Sequence, residues 1–227
     1  ILKARTVSSK KTVGLLGWFY CRGYIYGLPR LWGSLYVWFF TCAYPGFTIG
    51  RNPKVWGAFS LQLMEGGRME VGDDFHLVSE PRRSAITQFS RGQFTVFPGG
   101  VIRLGNHVGL NGTALTAKRR IEIGDNTMVA ANVIIIDSDF HAKWPPELRW
   151  TTSTKEFDED VIIGRNVWIG MNTVVQKGSR IGDNSIIGAG SMVRGEIPAN
   201  CLAAGNPARV LSMLGPVGNS ETSEVSE

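Results

Sequence analysis

Cysteine is scarce in this chain of 227 residues: Cys21, Cys42 and Cys201 stand far apart. That leaves no disulfide framework and no CxxC metal site, and the chain reads as cytoplasmic. The three histidines, His76, His107 and His141, are dispersed without a paired spacing, so a three-histidine zinc centre is not indicated and no metal is expected. Long apolar runs are missing too, since the stretch from Leu31 to Tyr44 is short for a membrane span. Neither zinc-finger spacing nor an aromatic RNP pattern accompanies the net charge of +5. The basic residues cluster only locally, at Lys3 to Lys11, Arg82-Arg83 and Lys118 to Arg120. This fits a mildly basic surface and no nucleic-acid partner.

What is abundant is glycine, 28 residues of it, at regular intervals. In the C-terminal half a branched apolar residue recurs every sixth position: Ile163, Ile169, Val175, Ile181, Ile187 and Val193. Four places after each stand Val167, Thr173, Ser179, Ser185, Ser191 and Ile197. An amphipathic helix repeats near three and four, and a half-buried strand every two, so neither explains the period. Six is the length of a short strand plus a turn, and a chain coiling with that period stacks equivalent residues into ladders. The pattern continues upstream at Ile123-Gly124, Leu104-Gly105, Val71-Gly72 and Ile49-Gly50, with slips such as that around Lys118 to Arg120 reading as small corner loops. The expected fold is all-β: a parallel β-helix over residues 46–210, preceded by a helical segment at 1–45, interrupted by one extended loop at 136–160, and followed by a disordered tail at 211–227.

The run Ile163-Gly164-Arg165-Asn166-Val167-Trp168-Ile169-Gly170, then Ile187-Gly188-Ala189-Gly190-Ser191, then Ala203 to Val210, resembles the hexapeptide-repeat acyltransferase superfamily. Within it the chain is similar to the maltose, galactoside and Nod-factor O-acetyltransferase branch, nearest its polysaccharide-biosynthesis members. The resemblance implies a left-handed helix with three hexapeptides per coil, a homotrimer with active sites between subunits, and acetyl-CoA as co-substrate. By motif position it puts Trp168, Met171 and Ala189 beside the pantetheine arm. Relatives commonly read Val-Thr-Lys-Asp-Ile-Pro where this chain reads Val193-Arg194-Gly195-Glu196-Ile197-Pro198, so Arg194 is expected to take over the phosphate contact, with Arg209 as a second anion-binding residue. Asn111 is placed to bind acceptor hydroxyls by analogy.

The loop between Ile135 and Ile163 has no hexapeptide phase and carries Pro145-Pro146, so it must leave the coil, and such excursions are where function sits. Acyl transfer needs a base for the acceptor's proton, which an imidazole supplies. His141 is that candidate, and the resemblance implies a catalytic base in this loop. Asp139 and Asp137 are expected to orient the ring, as a carboxylate does in hydrolase triads, with Asp137 also available to the acceptor. Since no cysteine lies in the loop, direct attack in a ternary complex is expected. His76 and His107 read as ordinary surface residues.

Residues 13–45 are dense in aromatic and aliphatic side chains, including Trp18, Trp32, Trp38, Phe39 and Phe40. Two short amphipathic helices are expected, either at the inner face of the cytoplasmic membrane or capping the open end of the solenoid. O-acetylation of a sugar or glycan is the leading reading. N-acylation of an amino sugar, xenobiotic acetylation and a non-catalytic scaffold stay open.

Overall fold

A computed structural model describes residues 27–150 and 157–215. The expectations for residues 1–26 and 216–227, including the first of the two helices, lie outside the described residues.

The chain winds around three sheets in strict rotation. Face A stacks β1 (Phe47–Ile49), β4 (Arg68–Val71), β7 (Val101–Leu104), β10 (Arg120–Ile123), β13 (Val161–Ile163), β16 (Arg180–Ile181) and β19 (Glu196–Ile197). Face B stacks β2 (Lys54–Trp56), β5 (His76–Val78), β8 (Gly109–Asn111), β11 (Met128–Val129), β14 (Trp168–Ile169), β17 (Ile186–Ile187) and β20 (Cys201–Gly205). Face C stacks β3 (Ser60–Leu63), β6 (Gln93–Val96), β9 (Ala114–Ala117), β12 (Ile134–Ile136), β15 (Val174–Val175) and β18 (Met192–Val193). Neighbours within each face are parallel, and β21 (Ala208–Met213) folds back antiparallel on β20, past the expected end at Val210.

The ladders follow the six-residue period. Ile123, Ile163, Ile181 and Ile197 lie in register on face A, Val129, Ile169 and Ile187 on face B, and Ile135, Val175 and Val193 on face C. All are buried, because each coil covers the apolar row of the one before it. The residues between them fill the corners from inside, with phenylalanine at Phe59 and Phe75 in the first coils and mostly small side chains such as Thr127, Thr173 and Ser185 in the later ones. Their hydroxyls donate to carbonyls of the following coil, Thr127 to Gly164 at 2.9 Å and Ser185 to Pro198 at 2.7 Å, so these buried polar groups are satisfied. Ile197, the last of the residues standing four places after a ladder residue, itself takes a ladder position against Ile181. The turn at Arg194-Gly195 is two residues shorter than the turn at 176–179, and so moves the phase forward.

Corners between faces A and B turn through residues with positive φ, among them Asn126, Asn166, Asn184 and Asn200, a conformation asparagine tolerates better than most side chains. Asn166 donates to Asn184 at 3.0 Å and Asn184 to Asn200 at 2.8 Å, a hydrogen-bonded ladder up that edge.

Helix α1 (Leu28–Ala43) lies over the first coil. Phe40 is buried and packs on Tyr36 and Phe59, which in turn meets Phe94. Gly33 makes the close approach possible: a Cβ there would stand 2.1 Å from the Val55 carbonyl oxygen. The capping role expected of the N-terminal aromatics is therefore filled by the inner side of α1.

Candidate active site

Two excursions leave the coil. The first, residues 79–92, departs after β5 at the edge between faces B and C, and the sequence reading did not single it out. The second, residues 137–160, departs after β12 at the edge between faces C and A and contains His141.

The second loop is tied down at both ends. Lys177, in the next C-to-A corner and with its side chain only 10% exposed, reaches Asp139 at 2.8 Å, Glu159 at 3.8 Å and the Phe157 carbonyl at 2.6 Å. Lys143 meets the same Asp139 carboxylate at 2.9 Å. Burial pushes the Asp139 carboxyl up, but the hydrogen bonds from Lys177 and Lys143 outweigh it and hold the pKa below the ordinary range. Asp160, at the loop's return, pairs with Arg119 at 2.7 Å and Arg120 at 2.6 Å.

His141 projects from this anchored segment. Its Nδ1 lies 2.6 Å from the Arg149 carbonyl oxygen. A carbonyl only accepts, so Nδ1 carries the hydrogen, and in the neutral ring Nε2 presents a lone pair. The ring borders a cleft of about 190 Å³ lined by Asp139, Lys143, Trp144, Phe157 and Lys177. Beside it a second cleft is lined by Asp139, Glu159, Lys177 and Arg194 among others. The residue before the histidine, Phe140, has φ +62°, a strained conformation for a bulky side chain. It is held there by the Phe97 ring at 5.8 Å, by the Lys118 ammonium 5.7 Å from its own ring, and by its amide donating to Ser138 Oγ at 2.9 Å.

The ring's partner corrects the expectation for the two aspartates. Neither carboxylate is hydrogen-bonded to His141: Asp139 is occupied by Lys143 and Lys177. Asp137 is 0% exposed and accepts from the backbone amides of Lys118 at 2.8 Å and Arg119 at 2.7 Å. Burial raises the Asp137 pKa, against the lowering effect of these amides. Asp137 is thus an internal staple of the corner at Lys118 and is closed to an acceptor. Tautomer control falls instead to a backbone carbonyl, which no side-chain motif announces.

Four of the five expected coenzyme residues lie along another edge. Trp168, half exposed on β14, is flanked in register by Met128 and Ile186. Met171 and Ala189 occupy successive B-to-C corners, joined by the Gly190 amide donating to the Met171 carbonyl at 2.8 Å. Gly170 keeps the strip level, since a Cβ there would meet the Ala189 amide nitrogen at 2.5 Å. Arg209 pairs with Ala204 on the same side of β20, its Nη1 donating to the Ala208 carbonyl at 2.9 Å. Arg194 is separated from this group by face C and lines the cleft with Lys177.

Asn111 ends β8 at the B-to-C edge. Its amide nitrogen donates to Ser84 Oγ at 3.1 Å, and its carbonyl oxygen is buried without a partner. It is engaged with the 79–92 excursion and is not presented as an open ligand, contrary to expectation. That excursion is pinned to the same edge by Asn132, which accepts from the Phe89 amide at 2.8 Å and donates to the Thr87 carbonyl at 3.0 Å. Its only sequence signal was a break in the period around Pro81 to Arg83. His76 lies on face B edge-on to Trp56, and His107 stands at an A-to-B corner 3.4 Å from Asp74.

Residues 160–195 match the bacterial transferase hexapeptide (six repeats). The chain is 44% identical over 91 residues to a galactoside O-acetyltransferase of Escherichia coli K12, covering 40% of this chain and 43% of that protein. It is 34% identical over 127 residues to an Escherichia coli K12 protein named for lipopolysaccharide-biosynthesis O-acetyl transfer, covering 51% and 62%. The chain spans about half the length of these curated relatives. A hexapeptide-repeat acetyltransferase of Vibrio cholerae, solved with acetyl-CoA, shares the fold at a TM-score of 0.50 and 24% identity, over 67% of this chain and 73% of that one. By its six-residue ladders, its three stacked faces and these matches, the chain is similar to the hexapeptide-repeat acetyltransferases and has the left-handed parallel β-helix as its fold.

Proposed function

We propose that this protein transfers an acetyl group from acetyl-CoA to a hydroxyl of a sugar or polysaccharide precursor, with His141 as general base. The observation that carries the reading is the contact between His141 Nδ1 and the Arg149 carbonyl, which leaves Nε2 facing out of an anchored loop. Nε2 takes the acceptor hydroxyl's proton as that oxygen attacks the thioester carbonyl carbon. The imidazolium then returns the proton to the departing sulfur, so one histidine serves as base and acid in turn.

The strip of Trp168, Met171 and Ala189 suits the pantetheine arm, because it combines an uncovered indole with small side chains that let a slender chain lie flat. Arg209 on that edge would meet phosphate, and Arg194 would do so from the opposite edge. Within one chain His141 and Trp168 stand on opposite sides of face C. A site that uses both is completed by a second copy, with the His141 edge of one protomer facing the Trp168 edge of its neighbour in a homotrimer.

The test is calorimetric titration of acetyl-CoA into the parent, His141→Ala and Trp168→Ala proteins, followed by turnover on a panel of hydroxyl and amine acceptors. Binding that survives the first change and weakens with the second supports the assignment. Folded protein that binds no coenzyme in any form would leave a non-catalytic scaffold, and transfer only to amines would move the reading to N-acetylation.

A further inference from the structure

Helix α1 is apolar on two sides. Pro29, Gly33, Tyr36 and Phe40 face the first coil. Leu28, Leu31, Trp32, Leu35, Trp38 and Phe39, by contrast, are 46% to 67% exposed. At 3.6 residues per turn this second set falls in a single stripe about 120° wide, running the length of the sixteen-residue helix. Apolar surface gathered in this way marks a contact with something other than water. No helix among the described residues is long and apolar enough to cross a membrane.

Charge identifies the occupant. The first acidic residue of the sequence is Glu65, and eight of the 24 lysines and arginines precede it. The remainder of the chain carries all nineteen acidic residues and is net negative. The positive charge is therefore concentrated in the part of the sequence that contains the stripe. A second copy docking stripe to stripe would bring two such cationic segments together, which like-charge repulsion opposes. An anionic lipid surface meets both features, taking the indole and leucine side chains at the headgroup boundary and the cations at the phosphates.

We propose that α1 is a membrane-docking helix that seats the solenoid on an anionic bilayer surface, its outer stripe immersed and its inner side remaining packed on the first coil. The proposal is independent of the acetyl-transfer reading. Its test is flotation of the full chain with vesicles of phosphatidylglycerol and phosphatidylcholine, against phosphatidylcholine alone. The double variant Leu35→Ser/Trp38→Ser is run alongside, its fold checked by circular dichroism and its oligomeric state by light scattering. Both side chains are exposed, so the fold should be kept. Expected is flotation with the anionic vesicles, weakened at least about tenfold in the variant and reduced near 1 M salt, where screening shortens to about 3 Å. Failure of the parent to float, or equal flotation of parent and variant, would overturn it. So would a variant that breaks up the oligomer without changing flotation, since the stripe would then be a subunit contact.

Discussion

At the scale of single residues, the proposed site depends on how His141 is held. His141→Ala is expected to lower turnover by about two to four orders of magnitude with acetyl-CoA affinity nearly unchanged, the pattern of a group used in the transition state. Steady-state kinetics beside calorimetry reads both, and a purely raised KM would count against the base assignment. Phe140→Gly relieves the positive φ but removes the ring that Phe97 and Lys118 hold. The expected result is lower turnover in a protein as stable as the parent. Asp137 shows the opposite dependence on context. Asp137→Asn replaces an acceptor oxygen with an NH₂ facing the Lys118 and Arg119 amides, so unfolding in urea should reveal a loss of about 1–3 kcal/mol. No loss would mean that these amides find other partners.

At the scale of elements, the 137–160 loop is fastened by carboxylates whose pKa values are depressed, Asp139 and Asp160, in each case because hydrogen bonds from basic side chains outweigh burial. A depressed carboxyl stabilises fully above its unfolded pKa, near 3.9, and that contribution is lost as pH falls through the lower folded value. Amide exchange in this loop is therefore expected to rise below about pH 4, while the Ile163 and Ile181 ladders stay protected. Exchange that remained flat to about pH 2 would show that the lysine contacts do not hold the loop. Helix α1 rests on a different constraint, the missing side chain at Gly33 against the Val55 carbonyl. Gly33→Val should lift the helix from β2 and lower the thermal midpoint. The opposite outcome, no change, would mean that the first coil is stable without its cap.

At the scale of the whole molecule, the proposed division of the site between copies makes its own prediction. Mixed trimers of His141→Ala and Trp168→Ala chains should regain part of the activity each lacks alone, because some interfaces then pair an intact His141 edge with an intact Trp168 edge. Unfolding and refolding the two together, then assaying, is the check, and no recovery would place the whole site in one chain. Much of this architecture could be read from the sequence. Ile163, Ile169 and Val175 recur at one interval, and each repeat makes the same local choice of strand and corner, so the ladders, the coil and the position of the excursion at 137–160 follow from periodicity alone. The excursion at 79–92, the phase shift at Ile197, the closed environment of Asp137 and the occupied amide of Asn111 do not.

The sequence by itself determined the solenoid and the loop that holds His141, because a repeat buries its apolar row only against copies of itself, and that requirement is written in every sixth residue. The tertiary structure alone decided which group orients the imidazole, which carboxylates are sealed inside, on which edge each candidate stands, and that α1 keeps one apolar side free. These depend on backbone carbonyls and on contacts between segments far apart in the chain, where the same aspartate or asparagine is a staple, a ladder rung or a ligand according to what the fold brings against it.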